Sequence, residues 1–159
     1  MTRSSIILRE GSTDLPVEGA LEDQGAVPVS PTEIAILDHD LGRIVVLDTG
    51  GRVVRSFGRR GGGPGEIQDP RFLVRTKAGI GVLDDQKFAL VMFTPDGTVL
   101  AEIPWTAVVG TPTGIVTGLA ELDDGSWVFS ISEKGATTSR EALYRRVGRT
   151  TTEITATLP

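Results

Sequence analysis

Residues 34–57 read IAILDHDLGRIVVLDTGGRVVRSF, and 46 positions later, without a gap, residues 80–103 read IGVLDDQKFALVMFTPDGTVLAEI. Six of the 24 aligned positions are identical: Ile34/Ile80, Leu37/Leu83, Asp38/Asp84, Val45/Val91, Gly51/Gly97 and Val53/Val99. Where the copies differ, Ile36/Val82, Ile44/Leu90, Val46/Met92, Leu47/Phe93 and Val54/Leu100 still keep an apolar residue opposite an apolar one. Each copy breaks at Gly and Asp into three short runs rich in β-branched residues, and those two residue types supply the positive φ angles and side-chain-capped amides that tight turns need.

Working outward, the runs of the first copy are 34–38, 43–48 and 52–57 around the turn 49–51, and those of the second are 80–83, 88–94 and 98–103 around the turn 95–97. A fourth run, FLVRT at 72–76, precedes the second copy; the same offset applied backward lands on AVPVS at 26–30, and forward on GLAEL at 118–122. The runs 126–131, 142–147 and 151–158 then complete a third, more divergent copy with a polar loop at 132–141, and an apolar stretch at 6–11 falls where an outer strand would lie. A period in the forties with four strands per copy is the pattern of a β-propeller blade, a unit that cannot bury its own faces. The expected fold is therefore all-β, one partial propeller domain over residues 1–159: an outer strand at 6–11 and blades at 26–57, 72–103 and 118–158. No segment holds apolar residues at helical spacing, so thirteen strands and no helix are expected, with 10–24 a solvated loop. The middle strands of each blade are expected to be the most buried, with Leu37, Val45, Leu83 and Val91 in the core.

Composition sets limits on function. The chain has 39% apolar and 23% charged residues, as soluble globular domains do. The absence of Cys removes disulfides, thiolate metal sites and a cysteine nucleophile. The N-terminal apolar run, Ile6-Ile7-Leu8, is far short of the roughly 7–15 residues of a signal-peptide core, and no run approaches the ~18 needed to span a bilayer. Localisation is left open. A net charge of −5 argues against general nucleic-acid binding.

At the join between the two clear copies, residues 52–74 read RVVRSFGRRGGGPGEIQDPRFLV. Phe57-Gly58, Gly63-Pro64-Gly65-Glu66, the apolar Ile67 and Asp69-Pro70 resemble the repeat of NHL-type six-bladed β-propellers, as do the strand-closing Asp38 and Asp48 and the Asp96-Gly97 turn. The resemblance implies a scaffold that serves many activities, often in exported, periplasmic or extracellular proteins. Amidating lyases of that family use several histidines around a central metal, and this chain has one. The family's ring has six blades, so three blades and a strand would leave two blade faces open, which predicts self-association through the end blades.

Several residues could carry chemistry. Asp38, His39 and Asp40, at a strand end, are candidate oxygen and nitrogen ligands for Ca²⁺ or another divalent metal, or else the members of a solvated turn; no other cofactor is implied. Asp38, Asp84 and Asp123 recur at strand ends, either as a ring of carboxylates or as acceptors for turn amides. The loop GRRGGGPGE at 58–66 lacks the Lys-Ser/Thr ending and the following helix of a phosphate cradle, so its glycines serve a chain crossing. Residues 52–77 hold seven basic side chains, Arg52, Arg55, Arg59, Arg60, Arg71, Arg75 and Lys77, against Glu66 and Asp69. Of these, Arg55, Arg59, Arg60, Arg71 and Arg75 are candidates for contact with an anionic partner. Phe57 and Phe72 read as core, so the stacking surface of a single-strand nucleic-acid binder is missing. The reading is a non-catalytic interaction scaffold taking a protein or a small anionic ligand at its loop face; the alternative is a propeller-class hydrolase or lyase with a metal in the central channel, incomplete in this chain.

Overall fold

The computed structural model describes residues 6–10, 13–17, 25–111, 114–134 and 139–154, which fall into two compact units, Met1–Glu102 and Ile103–Pro159. In the first unit, β1 (Ile6–Glu10) and β2 (Thr13–Val17) form an antiparallel pair. Two four-stranded antiparallel sheets follow: β3 (Ala26–Ser30), β4 (Glu33–Asp38), β5 (Arg43–Asp48) and β6 (Val53–Phe57), then β7 (Pro70–Arg75), β8 (Ile80–Asp84), β9 (Ala89–Phe93) and β10 (Val99–Pro104), whose last two residues lie beyond the unit boundary. Each sheet is a simple meander, inner strand first. The register repeats with the sequence, since Ile36 lies opposite Val45 in the first sheet and Val82 opposite Val91 in the second.

The two sheets pack as neighbouring blades. Ala35, Leu37, Ile44 and Val46 of the first interleave with Ile80, Val82, Val91 and Phe93 of the second, and Ile67 from the connection between them fills the same cluster. β8 and β9 are buried along their whole length, as strands covered on both faces must be. Leu37, Val45, Leu83 and Val91 are all core residues. On the other side of the first blade, Ile36, Val45 and Val53 make a second buried cluster, and β1 lies beside β6. Gly97 shows how tightly the blades meet: its φ is 95°, and a Cβ there would stand 2.5 Å from Cγ of Phe57 on the preceding blade.

The second unit holds one helical turn, α1 (Trp105–Val108), and the third sheet, β11 (Ile115–Glu121), β12 (Trp127–Lys134), β13 (Ser139–Val147) and β14 (Thr150–Ile154). A bulge between Val116 and Gly118 bends β11. The all-β, partial β-propeller architecture is thus three four-stranded antiparallel blades and a short additional ladder.

The structure departs from the strand-by-strand reading in four places. Residues 13–17 are strand where the composition of 10–24 suggests a loop, and 18–24 lie outside the described residues; among the described residues β2 pairs only with β1, and an edge strand is where proline is tolerated. A helical turn interrupts the β pattern at Trp105, too short to leave a period in the sequence. The inner strand of the third blade starts at Ile115, upstream of the apolar run at 118–122. Within the supposed polar loop at 132–141, the described residues 132–134 and 139–141 pair as ladder, with Glu133 opposite Arg140 and Lys134 opposite Ser139, and 135–138 lie outside the described residues; polar cross-strand pairs give no apolar alternation to read. The end of the last run, 155–158, lies outside the described residues. Among the described residues no helix is long and apolar enough to cross a membrane.

Candidate functional site

In the first unit the β4–β5 turn, the β8–β9 turn and the connection from β6 to β7 come to one end of the blades, and this loop face gathers most of the residues singled out above. The turns are built on the repeated aspartates. Asp38 is fully buried; Oδ1 accepts from the Leu41 amide at 3.2 Å and Oδ2 from Nε of Arg43 at 2.9 Å. Asp84 is equally buried, but its partners are backbone amides: Gln68 at 2.6 Å, Asp69 at 3.3 Å, Gln86 at 3.1 Å and Lys87 at 3.0 Å. In the second copy Ala89 replaces Arg43, and the inter-blade connection supplies donors in place of the guanidinium. Both carboxylates are thus acceptors that close turns, one of them joining the connection to the blade. Asp123 lies exposed in the β11–β12 turn of the second unit.

The glycine-rich connection is held from both sides. Ile67, fully buried, anchors it, and Ile67 N donates to Arg59 O at 2.9 Å while Gly61 N donates to Ile67 O at 3.0 Å. Arg60 Nη1 reaches back to the carbonyl oxygens of His39 and Asp40, each at 3.2 Å. From the other turn, Lys87, only 8% exposed at its side chain, donates to Gly63 O at 2.8 Å, Glu66 O at 3.0 Å and Glu102 Oε1 at 2.6 Å. Glu66 accepts from the Gly63 amide at 2.8 Å and pairs with Arg59 at 2.5 Å; the amide bond first, then Arg59 and Lys87, hold its carboxyl below the usual range. Burial alone would raise Glu102, but the Lys87 ammonium and the Gly65 amide outweigh it and keep that carboxyl low as well.

Of the remaining basic candidates, Arg71 is engaged at the β8–β9 turn and Arg55 and Arg75 elsewhere in the unit. Arg55 clasps Glu33 through two bonds, 2.8 and 3.0 Å, and donates from Nε to Pro95 O at 2.9 Å. Arg71 pairs with Asp85 at 2.9 Å, and Arg75 donates to the carbonyls of Pro28 and Val29, the latter at 2.8 Å. The structure therefore brings Arg60 to His39 and Asp40, but sends Arg55, Arg71 and Arg75 each to its own acceptors. At the 38–40 turn both Asp38 oxygens and the carbonyls of His39 and Asp40 accept from guanidinium or amide donors, and Nδ1 of His39 lies 3.7 Å from Oδ1 of Asp40. Among the described residues, no group of three or more His, Asp or Glu side chains could hold a metal.

Two side chains on this face escaped the sequence reading. Phe88 is 65% exposed and sits at φ 48°, in the left-handed region that bulky residues avoid. Leu41 is 52% exposed in the matching turn. The repeat carried the signal: Phe88 occupies the position of Gly42, which has φ 59° in the first copy. The same comparison marks Lys87 and Glu102 as a charged pair standing where the first copy has Leu41 and Ser56.

Meander blades stacked in register, joined by a glycine-rich connection under the loop face, define a β-propeller. Among solved structures the chain is similar to a Bacteroides fragilis protein named for its inferred export, at 16% identity and a TM-score of 0.59, over 88% of this chain and 38% of that one. It is also similar to the inactive H270A virginiamycin B lyase of Staphylococcus aureus determined with quinupristin, at 17% identity and a TM-score of 0.52, over 86% of this chain and 42% of the lyase. These likenesses establish the fold, and the chain spans about two fifths of the length of each structure. No protein-family model and no curated protein matches the chain.

Proposed function

We propose that this chain is a non-catalytic binding scaffold that takes a protein partner on the loop face of its first unit. The observation that carries the reading is Phe88, an aromatic ring held 65% exposed on a left-handed residue. Such a backbone costs on the order of 1–3 kcal/mol in a non-glycine residue, and Gly42 does the same structural job in the first copy without that cost. Exposed aromatics on ordered turns, rimmed by polar groups, are the usual anchors of protein interfaces. Leu41 adds apolar surface, and Asp40, Arg60 and Gln86 supply a polar rim.

The test is a comparison of the wild-type chain with Phe88→Gly and with Leu41→Ser. Replacing Phe88 by glycine should leave stability unchanged or raise it, while releasing proteins that the wild-type chain retains from a lysate of its source. Identical retention by all three would overturn the reading. A stoichiometric divalent ion in elemental analysis of the purified chain would favour a metal-dependent propeller enzyme instead.

A further inference from the structure

The second unit contains a cleft of about 530 Å³ between the segment around α1 and one face of the third blade. That size lies in the ordinary range for small-molecule sites. Phe129 and Tyr144, stacked at 5.6 Å with their planes 19° apart, form one wall, and Val109 and Ile131 add apolar surface. Among the described residues that line it are two arginines, Arg146 and Arg149, and several threonines, and none is acidic.

Arg146 is a buried cation, 9% exposed. Its Nε donates to Ala107 O at 3.2 Å, Nη2 to Thr106 O at 2.9 Å, and Nη1 to Thr151 Oγ1 at 2.9 Å and Arg149 O at 3.4 Å. All four acceptors are neutral, so among the described residues the charge is hydrogen-bonded without a counter-ion and one N–H of Nη2 has no acceptor. Arg145, the neighbouring residue on the opposite face of the same strand, shows the contrast by pairing with Asp124. Among the described residues neither Arg146 nor Arg149 meets a carboxylate. The Glu133 carboxylate is bonded to the Tyr144 hydroxyl at 3.1 Å. A desolvated guanidinium without an anion strongly favours one when it is offered.

We propose that this cleft binds a small organic anion with a flat apolar body, an aryl carboxylate, with its acid group on Arg149 and the remaining N–H of Arg146 and its ring against Phe129 and Val109. The site belongs to the second unit and does not depend on the loop-face reading.

The probes are 2-naphthoate, its neutral analogue 2-naphthamide, and inorganic phosphate, each titrated calorimetrically into the purified chain. Naphthoate should bind at least about tenfold more tightly than naphthamide or phosphate, the worth of one charge-assisted bond pair. Because Arg146 tethers α1 and its loss could unfold the unit, the variant is the exposed Arg149→Gln. It should weaken naphthoate binding about tenfold with an unchanged unfolding midpoint, and Arg149→Lys should restore part of the loss. Equal affinity for naphthoate and naphthamide, equal affinity for phosphate, no naphthoate binding, or an unaffected Arg149→Gln would each overturn the proposal.

Discussion

Lys87 and Glu102 meet at 2.6 Å beneath the glycine-rich connection, and the same ammonium holds the carbonyls of Gly63 and Glu66. One side chain thus ties a turn of the second blade to the segment that leads into it. Lys87→Met keeps the stem and removes the charge, leaving a partly buried carboxylate and two carbonyls without this donor. The expected loss is about 1–3 kcal/mol, reduced from that of a fully buried pair because Glu102 is 32% exposed. Urea unfolding measures it; a loss below about 0.5 kcal/mol would mean that the connection is held without Lys87.

Gly51 and Gly97 stand at the same repeat position with φ 77° and 95°, yet a Cβ at Gly51 would meet nothing within 4 Å while one at Gly97 would strike Phe57. Alanine at Gly51 should cost only the left-handed backbone, roughly 1–2 kcal/mol. At Gly97 the cost should exceed that by a further ~1–3 kcal/mol of overpacking. Equal losses in the two variants would show that the blades do not close on Phe57 as described.

Core burial makes a second matched pair. Leu83 is fully buried, whereas Leu100 is 46% exposed. Leu83→Ala should cost about 2–5 kcal/mol and Leu100→Ala less than about 1. Reversal of that order would place the second blade in the wrong register.

Acid should destabilise the chain through its carboxylates. Asp124 is lowered from 3.8 to about 2 by the Ser126 hydroxyl first, then by the Ser126 amide and Arg145, and Glu33 is lowered by its bonds to Arg55. A group whose pKa is depressed by folding stabilises above its unfolded value and loses that contribution as pH falls through the folded one. Unfolding midpoints should therefore decline as pH drops from about 4.5 towards 2, and Asp124→Asn should flatten the lower part of the decline. A midpoint independent of pH across that window would contradict the pairing seen around these carboxylates.

Much of the architecture was written in the chain itself. The 46-residue offset aligned the strands of the first two blades, placed positive-φ glycines at Gly51 and Gly97, and matched the registers of Ile36 with Val45 and Val82 with Val91. These features are local: alternation, turn chemistry and repetition act over a few residues, so they survive in a one-dimensional reading. The turn role of Asp38 and Asp84 was legible for the same reason.

Tertiary structure decided what the charges do. Arg55 finds Pro95 forty residues away and Arg75 finds Pro28 at a separation of 47, so a basic stretch in sequence becomes a set of separate ties in space. Lys87 and Glu102 become partners only once the connection folds between them, and Arg146 lines a cleft because α1 and β14 converge on it from 40 residues before and five after. β2 and α1 left no period, since one is a one-sided ladder interrupted by proline and the other a single turn. Sequence patterns report which backbone a segment prefers; which acceptor a long, flexible cation reaches depends on segments brought together only by the packing of the blades.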